Sequence, residues 1–332
     1  MFNAITGGDT TSSQLLKVML HDLFPLMDKA LSLHSLGQTT QAFGLVMLSQ
    51  IKDLTRDHSG PISLKELTND PLFTTANLIL LGSAFSADTY KDFQTLNKSI
   101  PYRLSGTLLW PWPSNTARTR LLESIADYLQ RGQVTDCDNP FSRGFMKVFK
   151  DNNLQNLAGA KLVLHFMWGA RSNTLNNAFF SLSFLLAGPD GLARVRAEID
   201  AAVDTFGGLE ALLKASPSEL DDPAFKLLTS AIMETMRFTS LHATRLATCD
   251  FDLRLGDGTT IPIQKGERVF GNIRAAHMDT TVFPNPEKFV VDRFAQHPYK
   301  MKHLPTEGYL FHSLGGGKHL VSTYTCWSLL PC

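Results

Sequence analysis

Four short groups of residues carry the chemistry this sequence could perform. The first is Gly169-Ala-Arg-Ser-Asn-Thr174, a polar interruption in the apolar stretch 154–186. Small residues there let a flat ligand approach a helix backbone, while hydroxyl and amide side chains compete for helix carbonyls and loosen the helix. A helix–helix contact with a satisfied polar patch would use the same residue types. The second group is Glu234 and Arg237, three apart on one helix face and able to pair, although helices carry such pairs by chance. The third is Phe283-Pro-Asn-Pro-Glu-Lys-Phe-Val-Val-Asp-Arg-Phe294, irregular and rich in proline. The fourth is the Gly315-Gly-Gly317 loop followed by Lys318 and His319. Cys137, Cys249, Cys326 and Cys332 share no metal-binding spacing such as C-x-x-C and read as free thiols of a reducing compartment.

These groups need helices to hold them. Residues 9–56 read as helical, with Asp9-Thr-Thr-Ser-Ser offering caps and Leu15, Val18, Met19 and Leu23 giving an apolar face. Residues 64–85 predict another buried helix. Residues 101–114 break the pattern, because Leu108-Leu-Trp-Pro-Trp-Pro-Ser114 cannot continue a helix. That segment reads either as a rigid connector with half-buried tryptophans or as a channel lip touching a membrane. The stretch 154–186 is apolar nearly all round, which predicts a helix through the centre of the protein, stopped by Gly188-Pro189. Asp222-Pro223 predicts the cap and first turn of a helix over 224–237. Residues 251–270 follow as short strands, with turns at Gly256-Asp-Gly258 and Gly266. The fold class expected is therefore mainly α with a small β portion.

With 332 residues, 43% of them hydrophobic and 19% charged, the chain can bury a sizeable core. Lys and Arg number 31, as do Asp and Glu, so the formal net charge is zero. That balance, without a basic stripe, argues against nucleic acid as a partner. The N-terminus has no signal-peptide pattern, and no run of apolar residues approaches the ~18 of a spanning helix. As written, the chain reads as soluble or at most peripheral.

In their order and spacing, the polar central helix, Glu234-Thr-Met-Arg237, Phe283-Pro-Asn-Pro-Glu with Arg293-Phe294, and Leu314-Gly-Gly-Gly-Lys-His-Leu320 resemble the cytochrome P-450 family of haem-thiolate monooxygenases. The resemblance covers residues 10–320 and implies an incomplete cytochrome P-450 fold as a single domain over 1–320, with 321–332 an unrelated tail. It implies haem as cofactor, a small hydrophobic substrate, an electron-donating reductase and an endoplasmic-reticulum membrane setting. It also implies that Glu234, Arg237 and Arg293 form a structural network, that Arg245 and His319 approach haem propionates, and that Ala170 and Gly317 lie against the cofactor. Ser172, Asn173 and Thr174 would occupy the oxygen-side helix. Most members place an acid and a threonine there; Ser172-Asn173 within Trp168-x-x-x-x-Asn-Thr174 is similar instead to the sterol 7α-hydroxylase and prostacyclin synthase branch. An Asn amide donates a hydrogen bond but delivers no proton at neutral pH. The branch implies a sterol or other lipid substrate and leaves hydroxylation and isomerisation both open. The resemblance also gives residues 108–114 a membrane-facing place beside the substrate entrance.

The same resemblance implies a departure. The family's haem-ligating Cys falls, counting from Gly317, at Val321, which has no lone pair to give iron. From Val321-Ser322 onward the sequence matches nothing in the family, as a translated intron would; an exon boundary after Leu320 would place the Cys codon in the next exon. The resemblance further implies that the chain begins after the family's membrane anchor and first sheet. Two readings follow: a haem monooxygenase represented by a chain that is itself inactive, or a non-enzymatic helical protein, either a truncated isoform or a ligand-binding remnant.

Overall fold

The computed structural model describes residues 13–30, 33–56, 58–85, 87–104, 113–132, 140–188, 190–215 and 225–295. These residues form two compact units, one containing residues up to 183 with 199–225, the other containing 184–198 and residues from 226 onward. Among the described residues there are twelve α-helices and four short strands, so the mainly α expectation holds.

In the first unit, α1 (Ser13–Val18) passes through a π turn at Met19–Leu23 into α2 (Phe24–Ala30). Helices α3 (Leu33–Arg56) and α4 (Leu64–Leu81) pack on each other, as do α5 (Tyr90–Leu104) and α6 (Pro113–Arg131). Ser63 and Glu66 form a reciprocal capping box at the start of α4: the Ser63 hydroxyl accepts from the Glu66 N–H at 3.2 Å, and the Ser63 N–H donates to Glu66 Oε2 at 3.3 Å. Helix α4 ends at Leu81, short of the expected residue 85. Helix α5 continues past Pro101 for one more turn, so the break expected there comes later. Arg103 in that last turn donates to Ser114 Oγ at 2.8 Å and to Asn115 Oδ1 at 2.6 Å, joining α5 to α6. Residues 108–112 of the Pro-Trp segment lie outside the described residues. Helix α7 (Pro140–Asp151) buries Phe141, Phe145 and Phe149, spaced one turn apart, in the core with Phe73, Phe93 and Tyr128.

The long helix α8 (Leu157–Ala187) begins where Asn156 Oδ1 accepts from the N–H groups of Ala158 and Gly159 at 2.9 and 3.2 Å. Gly159 is required at that entry, since a Cβ there would fall 1.8 Å from the Leu154 carbonyl oxygen. At about 1.5 Å per residue the helix is about 46 Å long. It runs unbroken through 169–174, where the sequence predicts loosening. The reason is visible at Thr174: its hydroxyl donates to the Ala170 carbonyl at 3.0 Å, one turn back, so the side chain adds to the helix ladder without opening it.

In the second unit, α9 (Gly191–Phe206) contributes its first half; the rest of α9 and α10 (Leu209–Lys214) belong to the first unit. Helix α11 (Lys226–Thr239) starts after Phe225, and the expected cap at Asp222-Pro223 lies outside the described residues. Its first N–H groups are satisfied from another helix: Glu198 accepts from Leu227 at 2.7 Å and from Leu228 at 2.9 Å. Strand β1 (Ala243–Leu246) pairs antiparallel with β4 (Arg268–Gly271), and β2 (Phe251–Arg254) with β3 (Thr260–Ile263). The β2–β3 turn closes on Gly258 at φ 86°, and Gly266 takes φ 94° in the turn before β4, both as the sequence predicts. A short helix, α12 (Ile273–His277), packs against α11.

Candidate functional site

The second unit is organised around one carboxylate. Glu234, Arg237 and Arg293 are 0, 0 and 7% exposed. Arg237 grips Glu234 with two prongs, Nε to Oε2 at 2.8 Å and Nη2 to Oε1 at 2.9 Å. Arg293 Nε lies 2.9 Å from both oxygens, and the Val290 N–H reaches Oε1 at 3.1 Å. The remaining guanidinium N–H groups find main-chain carbonyls. Arg237 donates to His277 and Pro286 at 2.6 and 2.8 Å, and Arg293 to Pro284, Asn285 and Lys288 at 2.7, 3.2 and 3.1 Å. The Phe283-Pro-Asn-Pro-Glu-Lys segment thus acts through its carbonyls. Proline at 284 and 286 leaves two fewer N–H groups to satisfy, and Asn285 at φ 49° turns the chain so that successive carbonyls converge. The rings of Phe238 and Phe283 each lie 5.2 Å from the Arg237 guanidinium carbon. The three residues predicted as a network come together; the carbonyl acceptors, which no side-chain motif reveals, are what sequence reasoning missed. This arrangement fixes chain segments and exposes no group for chemistry.

In the first unit, α8 separates the residues that the sequence groups together. Gly169, Asn173, Asn176 and Phe180 form one exposed stripe at helical spacing, and a Cβ built on Gly169 would meet no atom within 4 Å. Ser172 is buried at 6% exposure. Ala170, Arg171, Thr174 and Leu175 lie on the other side of the helix, in the wall of a cavity of about 80 Å³. Of the predicted trio, Asn173 alone stands on the open stripe, and the small residue beside it is Gly169. Trp168 is anchored by its indole N–H, which donates to Asn97 Oδ1 at 2.8 Å. Arg171 is 1% exposed, and burial pushes its guanidinium down to about 9.

Arg245 sits on β1 opposite Val269, exposed, with Nη1 donating to the carbonyl of its neighbour Thr244 at 3.1 Å. No ion pair engages it among the described residues. Gly317, His319 and Val321 lie outside the described residues. Among the described residues no group of three His, Cys, Asp or Glu side chains could hold a metal ion, and Cys249 is an exposed free thiol. For haem, the chemistry of the donors divides. The open Gly169–Asn173 stripe gives a flat ring room to approach, and Arg245 offers a free cation for a carboxylate. The position at which the sequence reading expects the axial donor is Val321, outside the described residues, and a valine side chain has no lone pair to give iron. The stripe by itself has room for a flat ring, whereas a valine at the expected donor position does not suit its metal.

The cytochrome P450 family model matches residues 25–310. Among known proteins, cytochrome P450 7A1 of Oryctolagus cuniculus is 24% identical over 66% of this chain and 44% of its own length. Cholesterol 7-alpha-monooxygenase of Cricetulus griseus is 26% identical over 54% of this chain and 37% of its own length. Prostacyclin synthase of Bos taurus is 25% identical over 63% and 42%. The chain spans less than half the length of these curated relatives. A crystal structure of a cytochrome P450 (CYP102L1) superimposes with a TM-score of 0.70 over 98% of this chain and 73% of its own, at 17% identity, a likeness of fold. Among the described residues, no helix is long and apolar enough to cross a membrane.

Proposed function

Because this chain belongs to the cytochrome P450 family, we propose that it carries the frame of a haem-dependent monooxygenase acting on a sterol or other lipid, and that the chain itself does not turn over. The observation that carries the first part is the Glu234–Arg237–Arg293 network, built from two separate motifs and buried in one unit. Similarity to proteins named cholesterol 7-alpha-monooxygenase and prostacyclin synthase supports the lipid class. On this reading residues 1–320 are the family domain and 321–332 a separate tail. The open stripe of α8 faces the cofactor, with Asn173 offering an amide donor. Ser172 and Thr174 support it from the helix, Ala170 and Gly317 pack nearby, and Arg245 and His319 pair with carboxylates of the ring. An electron-donating reductase is the protein partner, the endoplasmic-reticulum membrane the setting, and residues 108–114 the membrane contact.

The second part rests on Val321. A carbon monoxide difference spectrum of the reduced, haem-supplemented chain tests both. The expected result is haem uptake without a thiolate-type band, with Val321→Cys introducing that band. A thiolate-type band from the unaltered chain would overturn the claim of inactivity. Failure of both chains to take up haem would favour the ligand-binding reading over the enzyme frame.

A further inference from the structure

The cavity beside α8 has a composition at odds with its walls. Met27, Phe43, Leu72, Ile79, Phe141 and Leu175 make it apolar, yet Arg171 stands among them. Arg171 Nη2 donates to Asn77 Oδ1, and the guanidinium carbon lies 5.4 Å from the centre of the Phe73 ring. Among the described residues, Arg171 Nε and Nη1 have no acceptor, and neither does Asn77 Nδ2, which the Arg171 contact fixes as the free end of that amide. Asn77 is itself 2% exposed. Thr174 donates its hydroxyl to the Ala170 carbonyl, and its oxygen accepts from none of these three nitrogens.

All three orphaned atoms of this pair are donors, and two of them belong to a cation. A water would accept from two of them and leave its own hydrogens facing hydrocarbon. The complement is an acceptor-only group with a negative charge and an apolar remainder. A cavity of about 80 Å³ is roughly half the ~150 Å³ that holds a benzene ring, which suits a stem of about three or four carbons. We infer that this cavity binds a short-chain aliphatic carboxylate, its oxygens accepting from Arg171 and Asn77 and its stem lying against Leu72, Ile79 and Phe141. Phosphate and sulfate are too strongly hydrated to enter such walls, and a neutral alcohol leaves the guanidinium unmatched. At neutral pH Arg171 keeps its charge even with its proton affinity reduced by burial, so the attraction is present under ordinary conditions. The inference is independent of haem and of the Val321 question.

Isothermal titration and thermal shift of the full chain with sodium butyrate, n-butanol, n-butylamine and sodium chloride at matched ionic strength test it. Butyrate is expected to bind and raise the melting temperature, while the other three leave it unmoved. Arg171→Met, which keeps much of the stem and removes the charge, is expected to weaken butyrate binding by about 10- to 100-fold, the range of a charge-assisted hydrogen bond. Arg171→Gln serves as a second variant with the same expected direction, should the methionine form fold poorly. Butanol binding as well as butyrate would show an apolar cavity without anion recognition and overturn the inference. Absence of butyrate binding, or binding unchanged in both variants, would overturn it equally.

Discussion

Arg171 on α8 and Arg237 on α11 are 1% and 0% exposed, and both stack near phenylalanine rings, yet their surroundings differ in kind. Arg237 makes four N–H···O bonds, two of them to a carboxylate whose other partners include a second guanidinium. Among the described residues, Arg171 makes one such bond, to a neutral amide, and faces no carboxylate. Burying a cation is costly unless charge and hydrogen bonds replace the lost water. The second unit meets that condition with atoms of the chain itself, and the first does not. A charge fully answered from within serves as a structural fastener, and a charge left unanswered marks a place for something else to bind.

The strongest way to break this contrast is to take the carboxylate from the satisfied side. Glu234→Gln leaves Arg237 and Arg293 buried side by side without a counter-charge, and is expected to destabilise the second unit by about 3–5 kcal/mol. Urea unfolding followed by amide exchange of α11 would measure it. A loss below about 1 kcal/mol would mean that the carbonyls alone hold the arginines, and the distinction between the two sites would collapse.

On the unsatisfied side the sign reverses. In carboxylate-free buffer, Arg171→Met is expected to stabilise the chain by about 1–4 kcal/mol at neutral pH, because it removes an uncompensated buried charge. The pH dependence is sharper still. The Arg171 guanidinium is lowered from its ordinary value to about 9 in the folded chain, so between those two values the unfolded chain holds a proton that the folded chain has released. Stability therefore rises with pH across that window, and the advantage of the methionine variant shrinks by up to about 1.4 kcal/mol per pH unit above pH about 9. Comparing the two chains cancels the titration of other groups. An advantage that stays constant to pH about 10.5 would show that Arg171 is better compensated than its contacts indicate.

The two arginines also differ in how far the sequence discloses them. Glu234, Arg237 and Arg293 were legible as a network only through the family resemblance of their motifs, since a pair three apart on a helix also arises by chance. The β2–β3 turn was legible from the residues themselves, since Gly258 answers a local demand for positive φ. The position of Arg171 within Gly169–Thr174 was equally visible, but its isolation was not. That depends on Asn77 and Phe73 of α4, about a hundred residues away in the chain, and on the absence of an acid among the described residues of the cavity walls. Tertiary context likewise hid the exposed stripe of α8, because a helix apolar nearly all round gives no sign of which side stays open. The Glu198 contact with the start of α11 was hidden too, being supplied by another helix.

The smallest effect concerns what aims the carbonyls at Arg293. Asn285 holds φ 49°, a left-handed conformation that an alanine adopts only with strain, and its carbonyl accepts from Arg293 Nη2 at 3.2 Å. If the backbone turn pre-forms the acceptor cage, Asn285→Ala costs about 1 kcal/mol while Asn285→Gly, free to take that φ, stays within about 0.5 kcal/mol of the parent. Chemical denaturation of the two variants separates the cases. Alanine and glycine of equal stability would mean that the paired charges pull the loop into shape, and that the network is held by Glu234 alone. A cost confined to alanine means that the loop and the charges each favour the same geometry, which is the condition under which a buried ion network stabilises the fold and orders it at once. Arg171 has no such pre-formed acceptor loop around it, so its geometry is left to whatever carboxylate enters the cavity.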